Sequence, residues 1–238
     1  MNHLSPISSK FHGIDYNPFW HKARILLFYI GSVKNFSLKT DHMSNKNPTL
    51  ALASTSVFRK ELLLRLQIAF EVVDPRVEET QISNETAEEC ASRLSVLKAH
   101  AGSQLSSARF VIGSDQVAEC DGRRLGKPGS KKSAREQLMF SSGNFADFFT
   151  AVCVHDVERN RDHVFVDKTV VQYRVLTDLE IDRYLDSEDV LSCAGSAKSE
   201  GLGISLLDSI SGVDPTALVG LPLIQLAKSL RSFGFLIP

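Results

Sequence analysis

The chain has 238 residues, enough for one large domain or two small ones, and 43% of them are hydrophobic, enough for a full core. Its 27 Lys and Arg against 28 Asp and Glu leave a formal net charge of −1, which excludes bulk electrostatic attraction to nucleic acid or an anionic membrane and points to a small partner. The four cysteines, Cys90, Cys120, Cys153 and Cys193, make neither a C-x-x-C pair nor a short secreted framework, so they read as reduced thiols of a cytoplasmic protein, and their spacing supports no zinc site.

The first 42 residues mix aromatic and basic side chains (FWHKARILLFYIGSVKNF) without periodicity and end before a second methionine, Met43. The apolar run 25–30 is too short to span a bilayer, and no small-residue cleavage site follows it. Residues 1–46 therefore read as a poorly ordered extension, an upstream start or an organelle-targeting segment, with the functional domain over 47–238.

From Thr49 the pattern alternates short apolar runs with helical spacing. TLALAS at 49–54 reads as a buried strand, 58–66 as a helix, and 70–73 as a second strand ended by Pro75. A helix is expected over 84–100, with acids in its first turn and Gly102 just past its end, followed by a strand carrying FVIGSDQV. Asp121-Gly122 marks a tight turn and 133–139 a helix, while 148–155 and 164–175 alternate like paired strands. A helix over 178–185 follows Thr177, and 222–233 closes the chain as a helix stopped by Gly234. This order predicts a mixed α/β fold with an antiparallel section rather than a regular doubly wound sheet.

The loops carry the chemistry. Gly113-Ser114-Asp115-Gln116 puts a carboxylate where a buried strand meets an open edge; alone, Asp115 reads equally as a turn cap or as an active-site acid. Ser54-Thr55-Ser56 joins a strand to a helix with Arg59 and Lys60 in its first turn. That junction is either an ordinary Ser cap with a solvated basic face or an anion site built from free N–H groups, hydroxyls and a guanidinium. Glu78-Glu79, Lys98, Lys127 in GKP, and Lys198-Ser199-Glu200-Gly201 add to the same set. The histidines lack metal-like spacing, and Asp214-Pro215-Thr216 and Gly220-Leu221-Pro222 read as architectural.

LALASTSVFRKELL, VEET, GSDQV, GKPGS, CAGSAKSEGLGI and DPTALVGLPL, in this order, resemble the Maf family of nucleoside triphosphate pyrophosphatases from Leu50 to the C-terminus. The resemblance implies a mixed, twisted α/β sheet in two lobes flanking a nucleotide-binding cleft. It also implies a homodimer that uses a divalent metal, Mg or Mn, to release pyrophosphate from a nucleoside triphosphate. Asp115 matches the proton acceptor for the attacking water, and Glu79, with Asp115 or Glu78, the metal-holding carboxylates. Arg59, Lys60, Lys98 and Lys127 match phosphate contacts, and Ser54 a donor at the helix start. Lys60 stands where an arginine is usual, which keeps the charge but loses the bidentate fork.

Three positions bear on the base. The family's pyrimidine branch tends to carry Arg, Thr and Gln at the places matching Phe58, Gln116 and Glu200, so this chain resembles the branch acting on 7-methyl-GTP. N7-methylguanine carries a delocalised positive charge that an aromatic face attracts, and a carboxylate can accept from its N1–H and exocyclic amine. The bland alternative is that Phe58 faces the core and Glu200 pairs with Lys198.

Overall fold

The computed structural model describes residues 49–80 and 82–238; the poorly ordered extension expected over 1–46 lies outside the described residues. A strand of 11 residues, β3 (Phe110–Cys120), organises the sheet. Along one edge it pairs over its whole length, antiparallel, with β5 (Phe145–Asp156). Along the other edge it has two partners in succession. β1 (Leu50–Ala53) pairs parallel with Phe110 to Gly113, and β4 (Arg123–Leu125) pairs antiparallel with Ala118 to Cys120. Ser114 to Val117 lie between these partners with none of their own on that edge. Backbone polar groups on an unpaired edge need other partners, so this gap is where the sheet can accept a ligand.

The remaining strands extend the sheet on both sides. β2 (Glu71–Val73) pairs parallel with β1, while β6 (Arg161–Tyr173) and β7 (Leu207–Ser211) continue antiparallel from β5, giving the order β2-β1-β3-β5-β6-β7 with β4 beside β3. The mixed sheet with an antiparallel section agrees with the sequence expectation. The short strands β4 and β7 had no sequence signal, because RRL and LDSIS offer too few alternating apolar residues to register.

Two apolar clusters form on either side of the gap. One joins Leu50, Leu52, Phe110 and Ile112 to α1 (Val57–Leu64) through Leu62 and Leu63, and to α5 (Leu223–Ser232) through Leu226 and Leu230. The other joins Ala118, Leu125, Phe148 and Tyr173 to α3 (Lys131–Ser141) through Leu138 and to α4 (Asp178–Ser187) through Ile181 and Tyr184. Two cores with a seam between them make two lobes, and Ser114 to Val117 run along the seam.

The remaining helix, α2 (Ala87–Ser103), covers the sheet face that Val111, Gly113 and Asp115 share. It begins later than the acid-rich stretch predicts, because Thr86 and Glu89 form a reciprocal capping box and Asn84 takes a left-handed φ of 63° outside the helix. It also runs through Gly102 instead of stopping before it. A Cβ there would meet the Ala53 side chain, so this glycine serves close packing of α2 on β1. Gly113 plays the same part on β3, where a Cβ would collide with the backbone of Ser95 and Ala99. Three of the four cysteines are buried and all four are free thiols. Among the described residues no helix is long and apolar enough to cross a membrane.

Candidate active site

The close approach of α2 to Gly113 decides the centre of the site. Lys98, one residue before Ala99, reaches down to β3, and its Nζ lies 2.5 Å from Asp115 Oδ1 and 2.6 Å from Glu79 Oε1. The Lys98 and Asp115 side chains are 8% and 10% exposed, whereas Glu79, on the loop after β2, is 46% exposed. One ammonium therefore bridges two carboxylates, one at the floor and one at the rim. Burial, the largest single influence on Glu79, works to raise its pKa. The Lys98 hydrogen bond and the charges of Lys98, Lys127 and Arg59 together outweigh it and hold the carboxyl below its ordinary value.

These groups face a cleft of about 760 Å³ that opens along the unpaired edge of β3. Ser54 and Arg59 form one wall. Ser54 directly follows β1, is buried, and its Oγ accepts from the Ser56 N–H at 3.2 Å, while Ser56 caps α1 by accepting from the Arg59 N–H at 3.4 Å. Arg59 Nε donates to the Gly220 carbonyl at 2.9 Å. Burial lowers the Arg59 pKa from its usual value, against the opposing pull of Asp115 and Glu79, and a guanidinium stays charged well beyond neutral pH. Lys127, on the loop after β4, adds an exposed positive charge to the rim. Lys60 is the exception among the expected phosphate contacts. It sits on the exposed side of α1, outside the cleft, because the helix turns each successive residue by about 100°. Glu78 is likewise exposed and outside the lining, whereas Glu79 forms part of it.

Phe58 and Glu200 also line the cleft. Phe58 is half-buried, and Lys198 Nζ stands over its ring at 6.0 Å from the centroid. Lys198 pairs with Glu188 at 2.8 Å, which displaces the bland expectation of a Glu200–Lys198 pair. Glu200 is exposed, with Ser199 Oγ donating to it at 3.4 Å. Gln116 differs from both. Its amide nitrogen donates to Thr150 Oγ1 at 2.9 Å and to the carbonyls of Ala217 and Leu218 at 3.1 and 3.0 Å, so it ties β3 to the 217–220 loop.

That loop is built by the DPT motif. Asp214 accepts from the Thr216 N–H and hydroxyl at 2.8 and 2.6 Å, and with its other oxygen caps α5 by accepting from the Ile224 N–H at 2.6 Å. Gly220 takes a φ of 125°, open to glycine alone among residues without strain, and turns its carbonyl toward Arg59 and the Ser114 hydroxyl. Two contributors had weak sequence signals. Lys198 was visible only as part of KSEG, and the Gly220 carbonyl, being backbone, had none.

The arrangement presents a carboxylate on a strand edge with cations from three separate elements, and an aromatic face and an acid lining the same cleft. It suits an anionic chain tethered to a flat polar ring. The Maf-like protein family model matches residues 49–233. The chain is 53% identical over 191 residues to the 7-methyl-GTP pyrophosphatase of Xanthomonas axonopodis pv. citri, covering 80% of this chain and all of that protein. It is 47% identical over 197 residues to the 7-methyl-GTP pyrophosphatase of Burkholderia thailandensis, covering 82% of this chain and 92% of that one. With a family match spanning most of its length and relatives at about half identity, the chain belongs to the Maf family.

Proposed function

We propose that this protein hydrolyses 7-methyl-GTP to the nucleoside monophosphate and pyrophosphate, and that residues 47–238 carry the activity. The observation that carries the reading is the position of Asp115 on the unpaired edge of β3, held by Lys98 beside Glu79. Relatives named for this activity at about half identity support the substrate. Asp115 accepts the proton of the water that attacks the α-phosphorus, and Arg59, Lys98 and Lys127 spread the charge on the phosphate oxygens. Ser54 acts by ordering the start of α1, where it accepts from the Ser56 N–H.

Glu79 and Asp115 would hold a divalent cation, Mg or Mn. The pair fits, because both carboxylates already converge on one positive charge, and magnesium asks the protein for only one or two carboxylates beside substrate oxygens and water. When bound, such an ion neutralises charge on the phosphate chain. Phe58 stacks on the cationic base, taking the place over the ring that Lys198 holds, and Glu200 accepts from the guanine N1–H and amine. Gln116 supports the site by fixing the loop at Ala217 and Leu218.

The protein works as a cytoplasmic homodimer without nucleic acid or membrane partners; sedimentation velocity on the purified chain tests the dimer. Pyrophosphate release, measured with Mg or Mn on a panel of methylated and unmodified triphosphates, tests the activity. No release from any of them would leave a nucleotide-binding regulator, and faster release from dTTP or UTP would overturn the substrate alone.

A further inference from the structure

Away from the cleft, three elements bring together two imidazoles and a carboxylate. His155 lies on β5, four residues beyond Ala151, the partner of Asp115 in the β3 register, and therefore on the same face of the sheet. Its cross-strand partner on β6 is Asp162. His100 comes from the last turn of α2, which Gly113 allows to press against the sheet. His100 Nε2 lies 2.8 Å from Asp162 Oδ2, and His155 Nδ1 lies 2.8 Å from Asp162 Oδ1. The two rings are 4.4 Å apart between centroids. Below them, the buried Cys153 Sγ approaches Asp162 Oδ1 to 3.6 Å and closes the inner side.

We infer that His100, His155 and Asp162 form a binding site for a divalent transition-metal ion of the zinc class. The donor atoms of the three residues lie within 4.8 Å of one another. Ligands at about 2.0–2.2 Å around a tetrahedral zinc ion stand roughly 3.3 Å apart, between the 2.8 Å imidazole–carboxylate separations and the 4.8 Å limit of the cluster, so side-chain rotation on the exposed side must open the first and close the widest gap to admit the ion. Two imidazoles and one carboxylate suit zinc, copper or nickel, whereas magnesium, calcium and manganese favour oxygen alone. The entry side is open: the His100 and Asp162 side chains are 48% and 29% exposed, while His155 at 6% forms the back wall. Water completes the fourth position on the exposed side. The ion clips the C-terminal turn of α2 to β5 and β6. Lys98, two residues earlier on α2, thereby gains a fixed platform for its approach to Asp115.

The sequence hides this site because its ligands lie far apart in the chain and no two follow a short motif. The test uses the full chain, stripped of metal by a chelator and titrated with zinc against a chromophoric indicator. The wild type is expected to bind one zinc equivalent that is lost, or weakened by about tenfold or more, in both His100→Asn and His155→Asn. Other histidines are unchanged in the variants, so the difference isolates this site. Cobalt is expected to give the visible absorption of a four-coordinate ion in the wild type and not in His100→Asn, whose position at an exposed helix end leaves the fold intact. Asp115→Asn should keep the zinc equivalent, which separates this ion from any held in the cleft. Equal zinc affinity and stoichiometry in the wild type and both histidine variants would overturn the proposal and leave a hydrogen-bonded clamp only. Loss of the equivalent in Asp115→Asn would overturn it too.

Discussion

Lys98→Met removes the ammonium that joins Asp115 to Glu79 while keeping a flexible stem of similar length. Removing one partner of a fully buried pair costs about 3–5 kcal/mol. Glu79 is 46% exposed and solvent reaches Asp115 along the cleft, so the expected loss at neutral pH is about 1–3 kcal/mol. The dependence on pH follows from Glu79. Burial, the largest influence, acts to raise its pKa, but the hydrogen bond and charge of Lys98, with Lys127 and Arg59, hold it below the ordinary value. A carboxyl depressed on folding stabilises fully above its unfolded pKa of about 4.3 and loses that contribution as pH falls through the folded value. In Lys98→Met the two largest influences that lower it are gone and the carboxyl moves up, so the gap between the two proteins is widest above about pH 5 and narrows on acidification. Urea unfolding of both proteins at about pH 7 and about pH 3.5 measures this, read as midpoints at matched slopes. A variant as stable as the wild type at neutral pH, or a deficit of the same size at both pH values, would refute the bridging role of Lys98.

Asp115→Asn should retain nucleotide binding by equilibrium dialysis while kcat falls by about 10²–10⁴-fold, the range for loss of a general base. Gly113→Val should lift α2 from β3, costing at least about 1–3 kcal/mol by thermal or urea melting and lowering turnover with it, because the added Cβ meets the backbone of Ser95 and Ala99. Phe58→Leu should reduce the kcat/KM preference for 7-methyl-GTP over GTP by about 2- to 30-fold, the equivalent of about 0.5–2 kcal/mol of cation–π attraction, and Glu200→Gln should weaken purines generally. Thr177→Ala breaks one half of the capping box at α4 and should lower the melting midpoint by about 2–4 °C without changing KM.

Much of the fold was legible because its signals are local. The strand at Leu50–Ala53, the α4 start behind Thr177 and the α5 stop before Gly234 each follow from a few neighbouring residues. Where a neighbour in space decided the outcome, local reading fell short. Gly102 reads as a helix stop in sequence, yet Ala53 across the packed interface makes it an interior glycine of α2. Residues destined for the cleft showed a similar divide. Arg59 and Lys60 are adjacent in one basic helical turn, but the rotation of α1 sends only Arg59 into the cleft. Lys98 reads as a charge late in a helix, and its bridging role depends on a carboxylate 17 residues away and another on a separate loop.

The sequence by itself determined the alternation of strands and helices, the family and the set of polar residues available for a triphosphate, because these depend on periodicity, caps and motif order along the chain. Only the tertiary structure decided that β1 and β4 leave Ser114 to Val117 unpaired between them, that Lys98 joins Asp115 to Glu79, and that His100 and His155 meet at Asp162. Strand register and the depth to which a helix settles on a sheet arise from packing of distant segments, and a missing Cβ at Gly113 sets that depth here.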